Sequence, residues 1–189
     1  LFSNPYTNTI TGFANGETTS VISGAVTYSG NALTTLDSGT STITPVISAL
    51  SAKNYYFTAV DGVQTINKAT ITVTANPLSK TYTGLTQTGY SSSLTGFVNR
   101  EPSFLVTGSV VYTGSAVTAT NAGTYTITPV TTGLAAINYV FVAADGDLTI
   151  NKANLNVNAV AKSKTYDGST FTAFTNTITG YVNSETSSV

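Results

Sequence analysis

Two groups of residues have the type and spacing to carry chemistry. Asp145 and Asp147 flank Gly146, and neighbouring carboxylates are the start of a calcium loop, which needs about six to eight oxygen ligands. The equivalent stretch nearer the N-terminus reads Asp61-Gly62-Val63 and lacks the second carboxylate. The pair therefore reads as the Asp-Gly turn of a β-hairpin, Asn138–Val142 running into it and Leu148–Ile150 leading back, and no metal is expected. Glu17, Glu101 and Glu185 recur together with Lys68 and Lys152. A buried acid beside a lysine and an asparagine can manage the protons of an amide cross-link between their side chains. Nothing in the sequence puts Lys152, Glu101 and an asparagine in one apolar pocket, so Glu101 reads as a helix-start charge and Lys152 as a solvated junction residue.

The aromatic and hydroxyl residues invite two further ideas. Tyr28, Tyr55, Tyr82, Tyr112, Tyr139 and Tyr166 resemble a sugar-stacking platform, but they sit on strand faces that also carry Val, Ile or Phe, where aromatic rings form core. Tyr56 is the better candidate for exposure, since its counterpart is Val140. Thr70, Thr72 and Thr74 make a threonine rank of the ice-binding kind, yet the next copy carries Asn154, Asn156 and Asn158 in their place. The chain contains no His, no Cys and no Trp. That removes the usual general base near neutral pH, the commonest nitrogen metal ligand and every thiol nucleophile. No catalytic, cofactor-binding or metal-binding residue is expected, no ligand-binding residue is assigned, and the protein is not expected to be an enzyme.

What must position these residues is a tandem repeat. Gly12, Gly96 and Gly180 stand 84 positions apart, as do Glu17, Glu101 and Glu185, through Gly-Phe-Ala-Asn-Gly-Glu, Gly-Phe-Val-Asn-Arg-Glu and Gly-Tyr-Val-Asn-Ser-Glu. Thr65-Ile66-Asn67-Lys68-Ala69 returns as Thr149-Ile150-Asn151-Lys152-Ala153, and about half of the paired positions are identical. A period this long gives each copy enough chain for a thin core of its own. The expected organisation is a partial unit at 1–68 lacking its first strands, a complete unit at 69–152, and a partial unit at 153–189 with the first strands and helical turn only. A longer parent chain is expected.

Only 8% of the 189 residues are charged and the formal net charge is −1, while 41% are hydrophobic. Such a chain is too apolar for disorder and too neutral for a nucleic-acid partner, its seven Lys and Arg being scattered singly. No apolar run is long enough for a membrane helix, so no membrane insertion is expected in this window. Near-zero charge favours association between chains.

Along the complete unit, Thr70 to Ala75 alternates as a strand with Ile71, Val73 and Ala75 inward, and Ser79–Gly84 reads as a short strand closed by glycine. Asn99–Gly108 reads as a helical turn with a capping Asn99 and Pro102 in its first turn. Ser109–Tyr112 and Thr124–Thr128 read as further strands. No Gly/Ser spacer separates Ile150 from Ala153, which predicts stiff coupling between units. The expected fold is all-β: tandem small β-sandwich or β-grasp-like domains, with at most one helical turn each, in an elongated rod.

The ordered set Lys164-Thr165-Tyr166-Asp167-Gly168, Gly96-Phe97-Val98-Asn99 with Glu101, Ala122–Pro129, Asn138-Tyr139 and Leu148–Ala153 resembles the YDG/MBG-type repeats of large bacterial secreted adhesins, including filamentous-haemagglutinin-like proteins. The middle copy has Thr83 where the next has Asp167, so a carboxylate at that place cannot serve every unit. The resemblance implies an extracellular, secreted or cell-surface stalk module with no cofactor, acting as a rigid spacer. Its expected partners are neighbouring repeats of the same chain, with identical chains in a fibre and a host glycan or matrix ligand at a distant tip as further candidates. The competing expectations are a multivalent glycan- or matrix-binding module and a self-associating biofilm or sheath fibre.

Overall fold

The computed structural model describes residues 6–187 and divides the chain into two compact units, Leu1–Lys68 and Ala69–Val189. The protein is all-β, with only short 3-10 turns besides its strands.

In the first unit, strands β1 (Thr27–Ser29), β2 (Gly39–Val46) and β3 (Gly62–Ile66) form an antiparallel sheet in the order β1-β2-β3. Its interior is thin: among the described residues Ala32 is the buried apolar residue, and Ile43 in the middle of β2 is only half-buried.

The second unit contains the complete repeat. Strand β4 (Ala69–Ala75) carries the predicted alternation, with Ile71, Val73 and Ala75 inward and the threonines between them outward or half-covered. It continues past Asn76-Pro77 into β5 (Leu78–Thr81), the proline interrupting the ladder because it has no N–H to donate. Strand β6 (Ser92–Thr95) returns antiparallel to β4. After β7 (Thr107–Gly108), β8 (Val111–Thr113) pairs with β9 (Gly123–Val130), and the two-residue β10 (Leu134–Ala135) pairs with β7. Strands β11 (Tyr139–Ala144) and β12 (Gly146–Asn151) close the repeat.

These last two strands do not form the hairpin expected at Asp145-Gly146. They run on in one direction, β11 parallel to β4 with Tyr139 opposite Ala69, and β12 parallel to β5 with Leu148 opposite Leu78. The first and last segments of the repeat are thus a single kinked parallel ladder. It is flanked by β6 in the sheet β11-β4-β6 and by β9 and β8 in the sheet β5-β12-β9-β8. A parallel pair at the centre, joined by a long crossover, belongs to the grasp-like alternative and not to an all-antiparallel sandwich. Gly146 is selected by contact and not by a positive φ: a side chain there would run into the carbonyl of Ala75.

Two cores follow from the kink. Ile71, Val73 and Tyr139 pack with Leu94, Phe97 and Phe141 on one side of it. Ala75, Ile127, Leu148 and Ile150 pack with Leu78 and Tyr112 on the other. Each Ile, Leu or Val that is fully withdrawn from water contributes about 1.5–3 kcal/mol. The helical turn expected over Asn99–Gly108 is two separate 3-10 turns, Val98–Arg100 and Ser103–Leu105, with another at Ser115–Thr118. Beyond Asn151, strands β13 (Asn156–Ala159) and β14 (Asn176–Thr179) pair antiparallel as a two-stranded sheet.

Contacts inside the first unit recur inside the complete repeat at residue numbers 84 higher. Tyr6 donates to the Ala32 carbonyl at 3.0 Å and Tyr90 to that of Ala116 at 2.9 Å. Thr42 N–H donates to Asn31 Oδ1, and Thr126 N–H to Ser115 Oγ.

Candidate functional site

The Gly-Phe-x-Asn-x-Glu segment builds a polar arrangement that recurs from copy to copy. In the complete repeat, Asn99 (φ 51°) and Arg100 (φ 61°) both adopt the left-handed conformation. Asparagine enters this region with little cost, whereas arginine does not, so the pair is held there by its surroundings. Two such residues turn the chain back on itself, and Glu101 N–H closes the turn on the Val98 carbonyl at 3.0 Å. Asn99 accordingly caps no helix, and Glu101 is not a helix-start charge.

The turn aims two groups at one phenol. Val98 N–H donates to Tyr139 Oη at 2.9 Å, and Tyr139 O–H donates in turn to Glu101 Oε2. The ring of Tyr139 is buried and meets Phe97 edge to face, centroids 5.7 Å apart. The first unit makes the same clasp: Ala14 N–H donates to Tyr55 Oη at 2.9 Å, Tyr55 donates to Glu17, and Phe13 meets the Tyr55 ring. Donation to a carboxylate favours the neutral phenol, so the Glu101 bond first, and desolvation second, holds the Tyr139 pKa above its ordinary 10. Tyr55 is raised by Glu17 in the same way.

In the third copy the same turn does something else. Asn183 (φ 49°) and Ser184 (φ 61°) repeat the backbone, but Glu185 accepts at Oε1 from Tyr82 of the preceding repeat. Asn183 Nδ2 donates to the Gly84 carbonyl at 3.1 Å. Glu101 thus holds a tyrosine of its own repeat, and Glu185 one of the repeat before it. The Glu185 and Asn183 contacts both cross the Lys152-Ala153 junction, where a groove of about 290 Å³ is lined by Tyr82, Lys152, Leu155, Tyr181 and Glu185. The bond to Glu185 raises the Tyr82 pKa as well.

The other sequence candidates fall apart in space or remain single. Lys68 and Lys152 are exposed, and Glu101 is engaged by Tyr139, so no buried lysine–acid–asparagine set forms around them. Asp145 and Asp147 are exposed, and among the described residues no group of three or more His, Cys, Asp or Glu stands together to hold a metal. Of the six core tyrosines expected, Tyr139 is buried, Tyr28, Tyr55, Tyr82 and Tyr112 are half-buried, and Tyr166 is 92% exposed. Tyr56 is also 92% exposed, as its variable position implies. Asp167 ties its turn together by accepting from Lys164 at 2.6 Å and from Ser169 Oγ at 2.7 Å. Lys164 first, then Ser169, lower its pKa to about 2.

The tyrosine–glutamate pairing was missed in the sequence, although its signal was there: Glu17 and Tyr55, and Glu101 and Tyr139, stand at the same separation. The site is therefore a set of structural clasps within and between repeats of an all-β domain. A family model for the MBG domain (YGX type) matches residues 71–149, nearly all of the complete repeat. No curated protein and no solved structure matches the chain. Among the described residues, no helix is long and apolar enough to cross a membrane.

Proposed function

We propose that the chain is a non-catalytic spacer, a stretch of repeats in the stalk of an extracellular bacterial adhesin or surface filament that holds a binding tip away from the cell. The observation that carries this reading is the junction between the complete repeat and the next. It has no spacer sequence, and Tyr82–Glu185 and Asn183–Gly84 span it. A stalk needs such coupling, because each repeat then adds a fixed increment of reach. The MBG-type span and the neutral, hydroxyl-rich composition agree with a secreted array.

Deleting whole 84-residue repeats from the parent protein on its cells tests the proposal. The spacer reading predicts that the projected length falls by a constant step per repeat while the ligand affinity of the isolated tip is unchanged. A multivalent binding module would instead lose avidity with each repeat removed, and that outcome would overturn the spacer reading.

A further inference from the structure

We propose that the outer edge of β11 is a contact between copies of this chain, at which β11 of the complete repeat pairs antiparallel with β11 of a second copy. The two sheets of the repeat end in four edge strands, β11 and β6 in one, β5 and β8 in the other. Strands β5, β6 and β8 are only three or four residues long, and β5 carries the exposed Lys80, a charge of the kind that keeps an edge from pairing. Strand β11 runs for six residues, Tyr-Val-Phe-Val-Ala-Ala, without a charge, a proline or a glycine. Its aromatic and β-branched residues favour strand addition, and among the described residues no strand pairs with its outer side.

The hydrogen-bond phase of β11 defines what that side offers. Ala69 N–H donates to the Asn138 carbonyl at 2.9 Å. With Tyr139 opposite Ala69 in a parallel ladder, the even-numbered residues of β11 direct their N–H and C=O groups at β4. Those of Tyr139, Phe141 and Ala143 therefore point away from it. The side chains of Tyr139 and Phe141 face the core, whereas Val140 and Val142 are 44% and 51% exposed beside Thr70 and Thr72. Ala143 is exposed although it shares the inward side of the strand, as befits an uncovered edge.

The pattern of outward groups is self-complementary about Phe141. In a two-fold arrangement centred there, Phe141 faces Phe141 of the second copy and Tyr139 faces Ala143, each pair exchanging both backbone bonds, while Val140 lies against Val142 on the exposed face. The nearest charge along the strand, Asp145, then falls at opposite ends of the two strands. Antiparallel pairing thus separates like charges that a parallel alignment would bring together. Because the arrangement is two-fold, the contact closes on a pair. With 8% charged residues and a net charge of −1, two chains meet without long-range repulsion. The cores, the Tyr139–Glu101 bond and the junction are left as they are, so side-by-side pairing is added to a spacer and does not replace it.

The chain has no cysteine, so introduced thiols report this register without background. Val140 and Val142 of the second copy form a non-hydrogen-bonded pair with Cα atoms about 4.5 Å apart, within the span of a disulfide. Val140 and Val140 of the second copy lie on a diagonal of about 7–8 Å, which is too long. A mixture of Val140→Cys and Val142→Cys chains is expected to oxidise to a heterodimer several-fold faster than either chain forms a homodimer. In sedimentation the unaltered chain should dimerise as its concentration rises. Val142→Lys places a charge on the edge and should weaken dimerisation about tenfold or more. Ala143→Pro removes an N–H that faces the second copy while β4 keeps its ladder, and should do the same. Thermal unfolding of each variant checks that the complete repeat stays folded; where Ala143→Pro lowers the melting temperature, the exposed Val142→Lys decides. A chain that is monomeric at every concentration overturns the proposal. So do dimers that Val142→Lys leaves intact, and so do homodimeric cross-links that form as fast as the mixed one.

Discussion

Residues 69–152 and residues 1–68 share their motifs, their tyrosine clasp and several hydrogen bonds, yet they differ in what they bury. Ile127 is fully buried where its counterpart Ile43 is half-covered, and Tyr139 is 4% exposed where Tyr55 is only partly withdrawn. The difference traces to one segment. In the complete repeat, β4 and β5 form the parallel ladder with β11 and β12, and Ile71, Val73 and Ala75 of β4 are buried in its cores. The clasp forms with or without that segment, as the Tyr55–Glu17 bond of the first unit attests. The repeat's polar turn is therefore local, whereas its core depends on the central parallel ladder.

The sharpest way to break this comparison is to empty the two cores in parallel. Ile127→Ala should destabilise the complete repeat by about 2–5 kcal/mol, and Ile43→Ala should cost the first unit markedly less, read by denaturant unfolding of each variant. Equal losses would mean that the two positions do not differ in burial. A smaller contrast is expected at the glycines. Gly146→Ala forces a methyl into the Ala75 backbone and should cost about 1–3 kcal/mol, while Gly62→Ala should be near neutral.

The smallest effects are those of pH. Tyr55, Tyr82 and Tyr139 have folded-state pKa values above the ordinary 10. Their contribution to stability is full below pH 10 and is lost as the pH rises through the folded values. An ultraviolet titration of tyrosinate should show this group ionising late, and Glu101→Gln should bring Tyr139 back towards its ordinary value. Asp167 works in the opposite sense. Its pKa is lowered to about 2, so the Lys164–Asp167 turn contributes above the ordinary 3.8 and is lost as the pH falls through about 2. This exposed pair should weaken with added salt.

The sequence was most legible where the pattern was local. The alternation of Ile71, Val73 and Ala75 predicted β4 and its inner face, and Thr124–Thr128 lies within β9. Asp145-Gly146 misled because glycine serves two physical needs. It allows a positive φ, which is the hairpin reading, and it allows backbones to touch, which is what Gly146 does against Ala75. The strand that approaches it is some 70 residues away, and no short window of sequence contains that fact. Asn99 misled for a similar reason, since asparagine both caps helices and tolerates the left-handed conformation it adopts here. The clasp itself was readable in outline from Glu17, Glu101, Tyr55 and Tyr139, but its hydrogen-bond geometry depends on a turn that single residues do not announce.

The stiffness of the junction after Lys152 is the claim on which the spacer reading rests. Spin labels at Thr124→Cys and Thr177→Cys, in an otherwise cysteine-free chain, would report the distance across it by pulsed electron resonance. One narrow distance distribution is predicted, broadening in Tyr82→Phe and in Glu185→Gln while the melting of the complete repeat is unchanged. A distribution that is already broad in the unaltered junction, and that neither substitution changes, would contradict the account.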